Sequence, residues 1–257
     1  MKHLLTLLFF LSWTTMARAD CAMSGISVFP NGPTIKQNSI FIFSGYAESQ
    51  NTILGLNNKY NIYLKSGTKK VKLLVIEICV GQFYLTQAVL KPEKELTSGL
   101  DYIICIDGLS QYEHLSRYNS LTRKYEQVGY RVVAGKDTQK PNLTYLPKEI
   151  KKTFVQYGCG PSIHVVFSNP AKDLSDIIIK TTVKNLTTKK ETIYYLEPEG
   201  DEVKVGHNMC SGGFNFDNSE NYEVTFSYMD ASGNATDWTG GGIKFSKPTK
   251  ETNYEDE

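Results

Sequence analysis

The chain is 257 residues long, with 28 basic side chains against 27 acidic ones and a formal net charge of +1. That balance excludes the broad basic field a nucleic acid or an anionic membrane would select. The length suits two domains of ordinary size.

Met1 to Ala19 has a basic start, an apolar run from Leu4 to Trp13 and the small-x-small sequence Ala17-Arg18-Ala19. This is the pattern of a secretory signal peptide cleaved after Ala19, and the run is short for a membrane span. Asp20 stands where a lipid-attachment signal would need a small residue before Cys21. The expected location is therefore secreted, periplasmic or cell-surface, with no membrane insertion of the mature chain.

From residue 20 to 135 short alternating runs follow one another, broken by turn residues. The expected strands are Gly25 to Phe29, Ser39 to Ser44, Tyr60 to Leu64, Val71 to Ile78, Phe83 to Leu90, Tyr102 to Ile106 and Tyr130 to Val133. Seven short strands are an immunoglobulin-like count. Within them, Leu96 to Ile106 reads as a corner. Gly99 can adopt a positive φ, and Tyr102 can bury its ring while its hydroxyl bonds back to the corner backbone.

The stretch from Leu109 to Val128 departs from this texture. Its Leu109, Tyr112, Leu115, Tyr118, Leu121 and Tyr125 recur every three or four residues, which predicts a short helix. Tyr112, Arg117, Tyr118, Arg123 and Tyr125 are the residue types that carry interface energy, and they form the candidate ligand-binding set. The competing expectation is that these rings pack onto their own sandwich or onto the second domain.

Residues 136–147 are polar, contain Pro141 and Pro147, and read as a linker. Alternation resumes at Thr153 to Tyr157, Ile163 to Phe167, Ile177 to Val183, Thr192 to Leu196, Gly212 to Phe216, Tyr222 to Tyr228 and Gly242 to Phe245. Residues 248–257 form a polar tail. The run Tyr222 to Asn234, Tyr-Glu-Val-Thr-Phe-Ser-Tyr-Met-Asp-Ala-Ser-Gly-Asn, repeats the tyrosine-then-alternation of Tyr102. It resembles the penultimate strand and turn of bacterial Ig-like and fibronectin type III-like modules, and the resemblance implies a fold but no activity. The expectation is thus an all-β protein of two tandem seven-stranded immunoglobulin-like sandwiches, at 20–135 and 148–247.

Five cysteines in an exported chain read as disulfide material. The glycines around Cys159 and Cys210 favour a bridge between them over a soft metal site at His207, Met209 and Cys210. Cys105 should face away from the core, where it could meet Cys79 or Cys21; Cys79 with Cys105 is the preferred pair. Asp230, Ser232, Asn234 and Asp237 offer oxygens that would suit calcium, but their spacing is that of an ordinary turn. No nucleophile elbow, zinc-protease pair or phosphate loop occurs. The sequence therefore predicts no catalytic residues, no metal and no cofactor. Its expected function is non-enzymatic recognition of a protein or glycan, with a structural spacer as the alternative and a hydrolase or metal-binding protein as the remote one.

Overall fold

The computed structural model describes residues 24–250 apart from 111, 112, 114, 120 and 121. The expected signal peptide, Cys21, Tyr112, His114 and the end of the tail lie outside the described residues. No helix among the described residues is long and apolar enough to cross a membrane.

The first half contains β1 (Gly25–Phe29), β2 (Thr34–Ile35), β3 (Phe41–Tyr46), a short helix α1 (Gln50–Leu54), β4 (Ile62–Ser66), β5 (Lys69–Val80), β6 (Leu85–Pro92), β7 (Asp101–Ile106), β8 (Ser116–Asn119), β9 (Lys124–Gln127) and β10 (Gly129–Val132). Eight of these strands form one sheet in the order β1-β3-β6-β5-β4-β7-β10-β2. Val28 from one edge and Ile35 from the other lie in the same core as Phe41, Leu64, Leu73 and Tyr102, so the sheet is curled over itself. Tyr130 on β10 donates to the Pro30 carbonyl at 2.8 Å, tying the two ends together.

The long strand β5 makes this continuity. Its first residues pair with β4 and its later ones with β6. The register steps from Val75 opposite Leu90 to Glu77 opposite Val89, which leaves Ile76 as the extra residue of a bulge. The expected pair of separate seven-stranded sandwiches is therefore wrong for this half: a strand spanning both layers joins them into one sheet.

The second half contains β11 (Asn142–Leu143), β12 (Glu149–Tyr157), β13 (Gly160–Ser168), β14 (Ala171–Lys172), β15 (Ile177–Asn185), β16 (Glu191–Leu196), β17 (Glu202–His207), β18 (Asn221–Asp230), β19 (Ala235–Asp237) and β20 (Ile243–Ser246). They divide into a three-stranded sheet, β12-β13-β17, a five-stranded sheet built on β15 and β18, and the small pair β11-β14. Val165 and Phe167 of β13 meet Ile179, Tyr194, Val224 and Phe226 in one core. Burying an aromatic or aliphatic side chain of this size contributes about 1.5–3 kcal/mol before entropy is counted. The strand expected at Gly212 to Phe216 is irregular, and β17 takes its place in the sheet.

Both corners form. Gly99 has φ +79°, Tyr102 is buried, and its hydroxyl accepts the Thr97 N–H at 3.4 Å. Tyr222 is buried likewise and donates to Asp217 Oδ1 at 2.6 Å. The β-rich character stands; the tandem-sandwich topology does not.

The halves pack through a third apolar cluster that includes Phe29, Ile42, Cys79 and Val89 from the first and Ile178, Tyr195 and Ala231 from the second. Buried Gln87 acts there as a piece of backbone. Its Nε2 donates to the Tyr195 carbonyl at 3.0 Å, and its Oε1 accepts the Tyr195 N–H at 2.7 Å. Beside it Glu77 accepts from Lys180 Nζ at 2.6 Å and from the Tyr195 hydroxyl at 2.7 Å. Burial pushes the Glu77 carboxyl up, but these partners outweigh it and hold it below its ordinary value.

Candidate metal centre

Three aspartates from three segments converge at the junction: Asp137 after the first half, Asp173 after β14, and Asp230 at the end of β18. An oxygen from each lies within 4.8 Å of the others. Each is placed by the same local device, an Asx turn in which the carboxylate accepts the N–H two residues on. Asp137 Oδ1 takes Gln139 at 3.0 Å, Asp173 Oδ1 takes Ser175 at 2.8 Å, and Asp230 Oδ1 takes Ser232 at 2.8 Å.

Tertiary bonds bring the turns together. Asn38 of the first half donates Nδ2 to the Asp137 carbonyl at 2.7 Å and accepts the Asp137 N–H at 3.0 Å. Asn234 Nδ2 reaches the same carbonyl at 3.1 Å and Asp230 Oδ2 at 2.7 Å. Ser175 Oγ bonds both Asp173 Oδ1 and the Ala231 N–H.

The electrostatics are one-sided. Asp230 is fully buried while Asp137 and Asp173 are half-buried, and none of the three has an ion pair with Lys or Arg among the described residues. Burial, with the Asp137 charge adding to it, raises the Asp230 carboxyl above its ordinary value despite its hydrogen bonds to Asn234 and Ser232. A divalent cation would relieve this repulsion. Calcium binds oxygen at about 2.3–2.6 Å, so oxygens on opposite sides of one ion stand about 5 Å apart, a span this cluster fits.

This cluster overturns the expectation of a site with no metal in a strictly non-enzymatic recognition module, because it can hold a Lewis acid. The calcium alternative in the sequence named only one of its members. Asp230 and Asn234 form the expected turn, but Asp237 lies on β19 and accepts the Ser227 hydroxyl at 2.6 Å. Asp137 and Asp173 carry no distinguishing spacing; an Asx turn at each was the available signal, and such turns are common.

The predicted disulfides are corrected as well. Cys79, Cys105 and Cys159 are free thiols, so neither Cys159–Cys210 nor Cys79–Cys105 exists. Cys79 is buried in the junction, where burial first, and the Glu77 charge second, push its thiol up to about 11. Cys105 is held on β7, whose ladder partners are β4 and β10.

The tyrosine-rich stretch is a hairpin, β8-β9, rather than a helix. Leu115 and Val128 at its base are buried in the first core. Arg117 turns inward: its Nη2 donates to the carbonyls of Val28 at 2.7 Å and Pro30 at 2.9 Å, and its Nη1 to that of Asn31. Tyr118 is in register with Tyr125 in the ladder, Arg123 occupies the turn with φ +55°, and Tyr125 is 74% exposed. Arg117 is thus separated in role from Arg123 and Tyr125, and Tyr112 lies outside the described residues.

No protein family and no curated protein matches the chain. Solved structures that overlap it include a pullulanase from Anoxybacillus sp. LM18-11 complexed with maltotriose, at 10% identity and TM-score 0.25, covering 81% of this chain and 24% of that one. Others are pullulanase type I from Bacillus subtilis str. 168 complexed with maltose, at 12%, 0.26, 88% and 25%, and dimeric latent PorU from Porphyromonas gingivalis, at 11%, 0.19, 88% and 24%. The chain spans about a quarter of the length of each. Overlaps this shallow assign no activity.

Proposed function

We propose that the protein is exported and depends on a divalent cation, of the calcium class, held by Asp137, Asp173 and Asp230. The observation that carries this is the meeting of three carboxylates, one of them fully buried and none ion-paired with Lys or Arg among the described residues. The basic start, apolar run and small-x-small sequence at residues 1–19 support export. Asp137 is anchored to Asn38, so an ion at this site would fasten the segment between the halves to both of them.

A second reading, metal-assisted hydrolysis, is favoured by the partial exposure of Asp137 and Asp173, which leaves an ion approachable from solvent. Titration calorimetry of the mature chain with calcium chloride tests the common core of both readings. One saturable site, lost in Asp173→Asn and Asp230→Asn, is the expected result; absence of binding by the intact protein rejects both. If calcium binds, a panel of chromogenic esters and glycosides, with and without the ion, separates a structural role from a catalytic one.

A further inference from the structure

The geometry points to an acid-sensitive latch between the two halves, formed by His164 and His207 at the wall of a cavity of about 360 Å³. The two histidines sit on neighbouring strands, where His164 pairs with Gly206 and His207 with Ile163. Both are buried, at 9% and 4% exposure. Gly206 has φ +147°, and a Cβ there would come within 2.0 Å of the Ile163 carbonyl oxygen, so the chain can place His207 only with glycine before it.

His207 is where the first half grips the second. Its ring lies 4.7 Å from that of Phe83, in the turn between β5 and β6. The same turn exchanges backbone bonds with the segment after His207: Phe83 N–H to Gly212 O at 3.2 Å, Gly212 N–H to Phe83 O at 2.7 Å, and Gln82 N–H to Gly213 O at 3.1 Å. From the first half, Phe29, Ser44, Tyr46, Leu85 and Gln87 close the cavity, with no Asp, Glu, Lys, Arg or His among them.

The charged groups around the pair offer an imidazolium little. His164 faces His207 and Lys204 on β17, Glu199 in the preceding loop and Thr153 on β12; Glu199 is already paired with Lys204 at 2.5 Å. His207 has Lys247 as its charged neighbour and donates Nδ1–H to the Asn208 carbonyl at 2.8 Å. Glu197, on the same cavity wall, is bonded by Asn31 and raised by burial. A proton on either ring would be a buried charge with no unengaged carboxylate beside it; His164 Nδ1 has only the Ser162 hydroxyl, at 3.5 Å.

The sign follows from this asymmetry. Burial first, and the neighbouring His207 and Lys204 next, depress His164 to about 4, and burial depresses His207 in the same direction. Once the halves part and water enters, the burial that depresses both rings is relieved and each rises toward the ordinary value of about 6.5, with His207 and Lys204 still beside His164. The open form therefore binds more protons, closure is complete above about pH 6.5, and it weakens as pH falls toward 4.

The test is proton NMR titration of the imidazoles of the mature chain with hydrogen exchange at the Gln82, Phe83 and Gly212 amides, repeated in EDTA and in excess calcium. Expected are midpoints below 6.5 and, after correction for intrinsic rates, faster exchange of those amides on acidification in both conditions. His164→Gln with His207→Gln should abolish that acceleration; if the pair fails to fold, His207→Gln alone should reduce it. Imidazoles titrating at their ordinary value, or an acid response undiminished in the variants, overturns the latch.

Discussion

Asp230 and Asn234 hold each other at three points. The Asn234 backbone N–H donates to Asp230 Oδ1 at 2.9 Å, its side-chain amide to Oδ2 at 2.7 Å, and its carbonyl accepts the Asp230 N–H at 3.1 Å. The turn is thereby rigid before any ion arrives, and a cation would meet a carboxylate already in position. Asp230→Asn should abolish the calcium-induced rise in melting temperature. It should also cost the calcium-free protein about 1–3 kcal/mol, because an amide turned toward N–H donors leaves buried groups unpaired. Differential scanning calorimetry with and without calcium reads both effects.

Glu77 gives a pH prediction of defined sign. Its carboxyl is held below its ordinary value by Lys180 and Tyr195, against the effect of burial. The folded state therefore releases this proton more readily than the unfolded one. The contribution is complete above about pH 4.5 and is lost as pH falls through the lowered folded value. Glu77→Gln should flatten the stability profile below pH 4.5, measured by urea denaturation at a series of pH values.

Arg117 is a bracket rather than a free binding group. Three carbonyls, those of Val28, Pro30 and Asn31, share its guanidinium. Arg117→Ala should destabilise the protein by about 2 kcal/mol, and Arg117→Lys should not restore it, since an ammonium lacks the fork that reaches all three. Urea denaturation of the two variants checks this.

Gln87→Leu removes the side chain that bonds both backbone groups of Tyr195, on β16, across the junction. The Tyr195 N–H and C=O would be left buried without partners, at a cost of about 2–4 kcal/mol. Hydrogen exchange should show the Tyr195 amide losing protection more than amides in the centre of β15.

The strands were legible where local chemistry decides them. Gly25 to Phe29 and the two tyrosine corners needed only alternation, a glycine and a ring with a hydroxyl to place. Sheet order was not legible, because the bulge at Ile76 that lets β5 serve two layers leaves no mark in an unbroken apolar run. The hairpin β8-β9 was not legible because its aromatics repeat at helical spacing. Long-range pairing hid the carboxylate cluster for the same reason. Asp137, Asp173 and Asp230 each read as a plain turn residue, and it takes tertiary bonds from Asn38, Asn234 and Ser175 to bring them together. The cysteines misled because compartment predicts oxidation in general, whereas a bridge requires two particular thiols to meet, and Cys79, Cys105 and Cys159 do not.

The extra residue in β5 works like a shift of reading frame. Before Ile76 the odd positions Leu73 and Val75 look into the first core; after it the odd positions Glu77 and Cys79 look toward Tyr195 and Lys180. Strict alternation through the same letters would have driven a carboxylate into the first core. One residue of slack lets a single strand be written for two different neighbours, so the junction between the halves is encoded as much in the length of β5 as in the side chains that touch across it.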